Sequence, residues 1–202
     1  MSAIFEFDRG ILLWIQEVLR HPVANPIMIF ITHLGDYGIL WIALTLVMMC
    51  FRKTRRVGVT CAISMIFGLI VVNVVLKNWV ARTRPYELIE ELMLMTEKQH
   101  DLSFPSGHAT NSLACAWVMF RKMKKRYGVP ALALALIICY SRLHVGVHYP
   151  TDVLAGIAIG IAAAELAIAI VRALVKKFPA FRDFTRAKPK KKAKKKGKRR
   201  AA

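Results

Sequence analysis

Cysteine is scarce here and unpatterned. The 202 residues hold four, Cys50, Cys61, Cys115 and Cys139, all in or at the edge of apolar runs and without a CxxC spacing. That argues against a disulfide framework or a zinc site and leaves four small apolar side chains. Residues 1–20 lack the basic start and cleavage pattern of a signal peptide. Acidic residues are also few: 12 Asp and Glu stand against 31 Lys and Arg, for a formal net charge of +19. The long apolar runs mostly lack the polar face at helical period that a soluble bundle shows.

What the chain has instead is uninterrupted hydrophobicity. It is 56% hydrophobic, and the runs at 57–76 and 153–175 are long enough to cross a bilayer. The length suits one domain. An all-α, multi-pass membrane helix bundle follows.

The excess charge is local. Residues 51–56 (FRKTRR) carry four Lys and Arg, 121–126 (RKMKKR) carry five, and 176–200 carry fourteen. A nucleic-acid binder is not expected from this distribution. Basic connections mark the cytoplasmic side of a membrane protein. Residues 1–178 read as the membrane domain and 179–202 as a disordered, cytoplasmic, low-complexity tail. Such a tail is drawn to anionic lipid at about 1 kcal/mol per basic residue. Residues 78–105 are instead acidic, with Glu87, Glu90, Glu91, Glu97 and Asp101. Spans near 57–77, 107–120, 129–142 and 151–175 then alternate in direction, so 78–106 and 143–150 share the external face. The first 51 residues admit two readings. Segments 22–35 and 37–51, with Asp36 between them, make either two short spans, for six in all and an internal N-terminus, or one broken span, for five. Before them Ile11, Leu12, Trp14, Ile15, Val18 and Leu19 recur at helical spacing, while Asp8, Arg9, Gln16 and Glu17 fall largely elsewhere. That pattern suits an amphipathic helix lying in the interface.

Three polar clusters meet the external loops. KNWVARTRP holds Lys77, Arg84 and Pro85; FPSGHAT holds Ser106, Gly107 and His108; SRLHVGVHYPTD holds Ser141, Arg142, His144, His148 and Asp152. Ionisable groups at such depth suggest function, although Lys77 or Arg84 taken singly also fits snorkelling. PSGH reads as a capped helix start, and such a start can also bind an anion. His144, His148 and Asp152 are spaced like a metal site on one helix. Gly146 and Pro150 argue against a continuous helix there. Pro150 suits the first turn of the last span, from which Asp152 could hold a ring nitrogen of His148. Three cations, helix-start amides and two histidines together describe phosphoryl transfer: the cations neutralise phosphoryl oxygens, one histidine attacks, the other protonates the leaving oxygen.

K-x6-RP (Lys77 to Arg84-Pro85), PSGH (Pro105 to His108) and SR-x5-H-x3-D (Ser141-Arg142, His148, Asp152) resemble the three signature motifs of the type 2 phosphatidic acid phosphatase superfamily. The resemblance covers about 57–175. It implies a six-helix membrane core. It implies His148 as the nucleophile forming a phosphohistidine, Asp152 as its orienting carboxylate, and His108 as acid and then base. It implies Lys77, Arg84, Ser106, Gly107 and Arg142 as the phosphate-binding set, with no metal and no cofactor. His144 falls in the spacer and receives no role. Soluble vanadate-dependent haloperoxidases share this kind of site, but the membrane spans argue against that chemistry.

The expected activity is a metal-independent membrane phosphatase acting on a lipid phosphate at the extracytoplasmic face. The chain resembles compact bacterial members, so a prenyl diphosphate such as undecaprenyl diphosphate leads. Phosphatidylglycerophosphate and phosphatidate remain as alternatives. A rival of another class is a non-catalytic transporter or scaffold. Glu165, inside the last apolar run, is too far from Asp152 to join the site and is expected to pair with a neighbouring span or with Arg172. Gly156 and Gly160 read as a helix-packing pair.

Overall fold

The longest apolar runs form the longest helices. The computed structural model describes residues 3–185, and all their regular elements are helical. In chain order they are α1 (Ala3–Trp14), α2 (Ala24–Leu34), α3 (Ile39–Cys50), α4 (Arg55–Leu69), the short α5 (Lys77–Val80) and α6 (Pro85–Leu88), α7 (Gly107–Lys122), α8 (Lys125–His144), α9 (Pro150–Lys177) and α10 (Pro179–Thr185). π-helical turns at Ile15–Leu19 and Ile70–Leu76 extend α1 and α4. Among the described residues, three stretches are long and apolar enough to cross a membrane: Arg55–Leu88, α8 and α9. The bent pair α2 and α3 makes a fourth if it counts as one span. With 16 residues α7 falls short of that length, at about 24 Å. Leu46, Ile66, Leu69, Leu154 and Leu166 face outward, a surface suited to an apolar solvent.

α7 is the central helix and packs against α4, α8 and α9. Small buried side chains on it (Ala109, Ala114, Cys115, Ala116) let its neighbours approach. A Cβ on Gly156 of α9 would stand 2.6 Å from the Ser106 carbonyl oxygen, and one on Gly160 would stand 2.6 Å from that of Thr110. The two glycines therefore form the packing seam expected of them. Glu165 pairs with the neighbouring α7, not with Arg172: Trp117 Nε1 donates to it at 2.7 Å and Arg121 lies 2.8 Å away.

The segment between α2 and α3 turns through a short 3-10 helix, Asp36–Gly38, in which Tyr37 (φ 52°) and Gly38 (φ 69°) are left-handed. Gly38 takes that region readily; Tyr37 does so at a steric cost. The bend is 47°, so α3 carries on from α2 rather than returning beside it. By length and composition the bent pair suits one broken span or a re-entrant loop.

α1 departs from its expected facing. Leu12 and Ile15 are buried and Trp14 and Val18 exposed, as an interfacial apolar face allows, but Asp8, assigned to the polar side, is fully buried. The reason is a partner distant in sequence: Asp8 accepts from Arg82 and from Thr151, and the helix packs Leu12 onto Ile89, Leu92 and Tyr149. At the other terminus α10 occupies the first seven residues of the stretch expected to be disordered. The Arg55 guanidinium lies 4.9 Å from the centre of the Phe184 ring, and Arg56 Nε donates to Thr185 at 3.4 Å. The rest of that stretch, 186–202, lies outside the described residues.

Candidate active site

The starts of α7 and α9 and the end of α8 meet at one end of the bundle. Ser106 caps α7, its Oγ accepting the Ala109 N–H at 3.4 Å. Pro150 opens α9, and Asp152 closes its first turn by accepting the Tyr149 N–H at 3.0 Å. The two helix starts are tied directly, because the Ser106 N–H donates to the Asp152 carbonyl at 3.1 Å. Gly146, at φ 80°, ends α8 and makes the turn that separates the two histidines of the third cluster. His144 turns away, its Nε2 3.0 Å from Asn25 Oδ1 and its Nδ1 3.2 Å from the Tyr140 hydroxyl. His144, His148 and Asp152 therefore do not converge as metal ligands.

A cavity of about 590 Å³ opens at this end. Lys77, Arg84, Gly107, His108, Arg142 and His148 all lie on its wall. Ser106 and Asp152 are fully buried behind it. The cations are held in place by oxygens. Lys77 pairs with Asp101; Arg84 reaches Asp101 Oδ1 at 2.5 Å, the Asp101 carbonyl at 2.8 Å and the Val147 carbonyl at 2.8 Å. Burial alone would raise the Asp101 pKa, but the hydrogen bonds and charges of Lys77 and Arg84 outweigh it and hold the carboxyl at about 2. Arg142 donates through NH1 to Thr32 Oγ1 at 2.5 Å, while its buried Nε has no hydrogen-bond partner among the described residues. A guanidinium with an unspent buried donor suits an incoming anion.

His148 is buried, with Nδ1 3.5 Å from Asp152 Oδ2, near enough to feel the charge but without a made hydrogen bond. Burial, together with the charges of Arg84 and Arg142, outweighs the pull of Asp152 and drops its pKa to about 3. The imidazole is therefore neutral, with a lone pair available to an electrophile. The Asp152 carboxylate is otherwise engaged: Ser103 Oγ donates to Oδ2 at 2.5 Å and Arg82 NH1 to Oδ1 at 2.6 Å. Arg82 in turn reaches Asp8 at 2.6 Å and lies 3.8 Å over the Tyr149 ring. His108 has its own carboxylate: Nε2 is 3.0 Å from Asp36 Oδ1, and the other Asp36 oxygen is 2.7 Å from Nδ1 of His33, a side chain 58% exposed. A Cβ on Gly35 would meet His108 Cδ2 at 2.6 Å, so the turn before α3 is shaped around this ring.

Five of these groups escape a reading of the motifs. Asp36 carried one signal, an acid interrupting an apolar stretch. Asp8, Arg82, Asp101 and Ser103 carried none, since their partners lie 17 to 74 residues away.

Residues 57–176 match the family model described as the PAP2 superfamily. An undecaprenyl-diphosphatase of Sulfolobus acidocaldarius is 34% identical over 137 residues, 67% of this chain and 65% of that protein. The chain thus spans just under two thirds of that relative's length. A phosphatidylglycerophosphatase B of Bacillus subtilis is 32% identical over 159 residues, 71% of this chain and 73% of that one. Among solved structures, Aquifex aeolicus LpxE superposes with a TM-score of 0.72 at 26% identity, covering 84% of this chain and 96% of that one. The PAP2 type phosphatidylglycerolphosphate phosphatase of Bacillus subtilis gives 0.71 at 28% identity, covering 88% and 90%. The matched segment contains all three motifs and every helix that brings them to the common cavity, and on that match the chain belongs to the PAP2 superfamily.

Proposed function

We propose that this chain is an integral-membrane phosphatase that hydrolyses a lipid phosphate at the extracytoplasmic face, with a prenyl diphosphate such as undecaprenyl diphosphate as its substrate. The observation that carries this reading is the convergence of Lys77, Arg84, Arg142, His108 and His148 on one cavity. The phosphoryl oxygens sit among the three cations and the free N–H groups at the start of α7. Neutral His148 attacks phosphorus through the ring nitrogen turned from Asp152, and the phosphorus–oxygen bond to the leaving group breaks. His108 gives its proton to that oxygen, so the prenyl monophosphate departs. Asp152 holds the positive charge that develops on His148. His108, now basic, takes a proton from water; the water oxygen bonds to phosphorus, the phosphorus–nitrogen bond breaks, and phosphate leaves. Fixed cations neutralise the charge that a metal ion neutralises in other phosphoryl-transfer sites.

The name of the Bacillus relative favours a second substrate reading, phosphatidylglycerophosphate, through the same steps. The topology follows from the ends of the bundle. Lys53, Arg56, Lys122 and Lys176 gather opposite the cavity, and the rule that basic connections stay inside supports a cavity on the outer side. The 47° bend favours five crossings, with α2 and α3 as one. α1 then lies on the cavity side, with Phe7, Trp14 and Val18 exposed toward the lipid interface. The polybasic stretch 186–202 meets anionic lipid on the inner side. Phosphate release by purified protein in detergent with chelator present, from prenyl diphosphate, phosphatidylglycerophosphate and phosphatidate in parallel, is the test. Release from none of the three overturns the enzyme reading, and loss of activity on adding chelator overturns metal independence.

A further inference from the structure

The end of the bundle remote from the catalytic cavity holds a second pocket, of about 560 Å³. His108 and Lys122 lie at opposite ends of α7, about 21 Å apart by helical rise. Five cations line the pocket: Lys53 before α4, Arg56 on α4, Lys122 at the end of α7, and Arg172 and Lys176 on α9. Among the described residues none of the five pairs with a carboxylate, and no Asp or Glu lines the pocket. Arg121, one residue before Lys122, shows the contrast: it finds Glu165 at 2.8 Å. Like charges around one hollow repel, and the arrangement is relieved by an anion between them. Residues 186–202 cannot supply it, because they contain eleven Lys and Arg and no Asp or Glu. The inner wall is apolar, formed by Val57, Ile168 and Val171. Both the size and the mixture of charged rim and apolar wall match an amphipathic anion.

We propose that this pocket binds an anionic phospholipid, its headgroup phosphate among the five cations and its acyl chain against Val57, Ile168 and Val171. Nothing in the proposal depends on the catalytic reading, and its readout is binding rather than turnover. The full chain, stripped of lipid in detergent, is titrated with phosphatidylglycerol and separately with phosphatidylcholine, and bound lipid is counted by native mass spectrometry. Phosphatidylglycerol binds and phosphatidylcholine does not. The double variant Arg56→Gln, Arg172→Gln binds phosphatidylglycerol about 30-fold more weakly, the loss expected for two basic contacts. Lys194→Gln with Lys195→Gln removes the same charge from the tail and leaves this site's affinity within about threefold. Should the Arg56/Arg172 variant fail to fold, a photoactivatable phosphatidylglycerol on the unaltered protein labels the segments 56–60 and 168–176. Equal binding of the two lipids, an equal loss from the tail variant, or labelling confined to other segments overturns the proposal. Displacement of the lipid by millimolar inorganic phosphate also overturns it, because a free anion is then the occupant.

Discussion

The two ends of the bundle handle most of their cations in opposite ways, Arg142, bonded to Thr32 and not to a carboxylate, being the exception at the cavity. At the cavity end Lys77, Arg82 and Arg84 each face a carboxylate, and those carboxylates come from α1, from α9 and from the loop before α7. At the far end Lys53, Arg56, Lys122, Arg172 and Lys176 ring a pocket that no carboxylate among the described residues lines. Paired charges are held to a fixed geometry, as a reacting centre requires. Unpaired charges on exposed, flexible stems set a field and accept a partner without demanding one orientation. The same net excess of Lys and Arg therefore does two different jobs, and only the distribution of twelve acids among them tells which.

Changes at the cavity end test this contrast most severely. His148→Ala lowers phosphate release at least about 10⁴-fold, the scale of losing a nucleophile. Asp36→Asn removes the carboxylate from His108 and lowers kcat about 10- to 100-fold, the scale of a lost charge-assisted hydrogen bond. Asp36→Glu, which keeps a carboxylate beside His108, restores more of the rate than Asp36→Asn; equal losses from the two show that Asp36 only shapes the turn. Gly156→Ala costs about 1–3 kcal/mol in thermal unfolding, since the new Cβ meets a backbone oxygen that cannot swing aside. Gly107→Ala meets nothing within 4 Å and leaves unfolding unchanged within about 0.5 kcal/mol.

Acid separates the ends without mutation. His148 is held at about 3 in the folded protein, so the unfolded chain takes up that proton first. Stability present above the ordinary histidine value of about 6.5 is lost as pH falls toward 3. Asp101 adds a further loss as pH falls from 3.8 toward 2. Unfolding midpoints across this range fall for the unaltered chain and fall less steeply between pH 6 and 4 for His148→Gln. The smallest effect on activity is expected of His144→Ala, which retains it within about threefold because the ring faces Asn25 and Tyr140, outside the cavity. Equal losses from His144→Ala and His148→Ala would remove the distinction between the two rings.

The motif residues were legible because each cluster is local: a capping serine, a glycine turn and a proline start place Ser106, His108, His148 and Asp152 by backbone rules alone. The supporting groups were not. Arg82 sits among spacer residues, and only the folded chain shows that it joins Asp8, 74 residues away, to Asp152. The facing of α1 was misread for the same reason: a charge is expected to face solvent until its buried partner is known. Asp36 lay between both cases. As an acid between apolar runs it was conspicuous, but hydropathy described it as a break in a span and could not show that the break wraps His108.

Gly156 and Gly160 lie one turn apart on α9, seated over the carbonyls of Ser106 and Thr110, one turn apart on α7. Such a double seat acts as a gauge block. It sets the axial registry of the helix carrying His108 against the helix carrying Asp152, and a slip of either helix drives backbone into backbone. The spacing between the two halves of the site is thus inherited from a seam buried in the bundle.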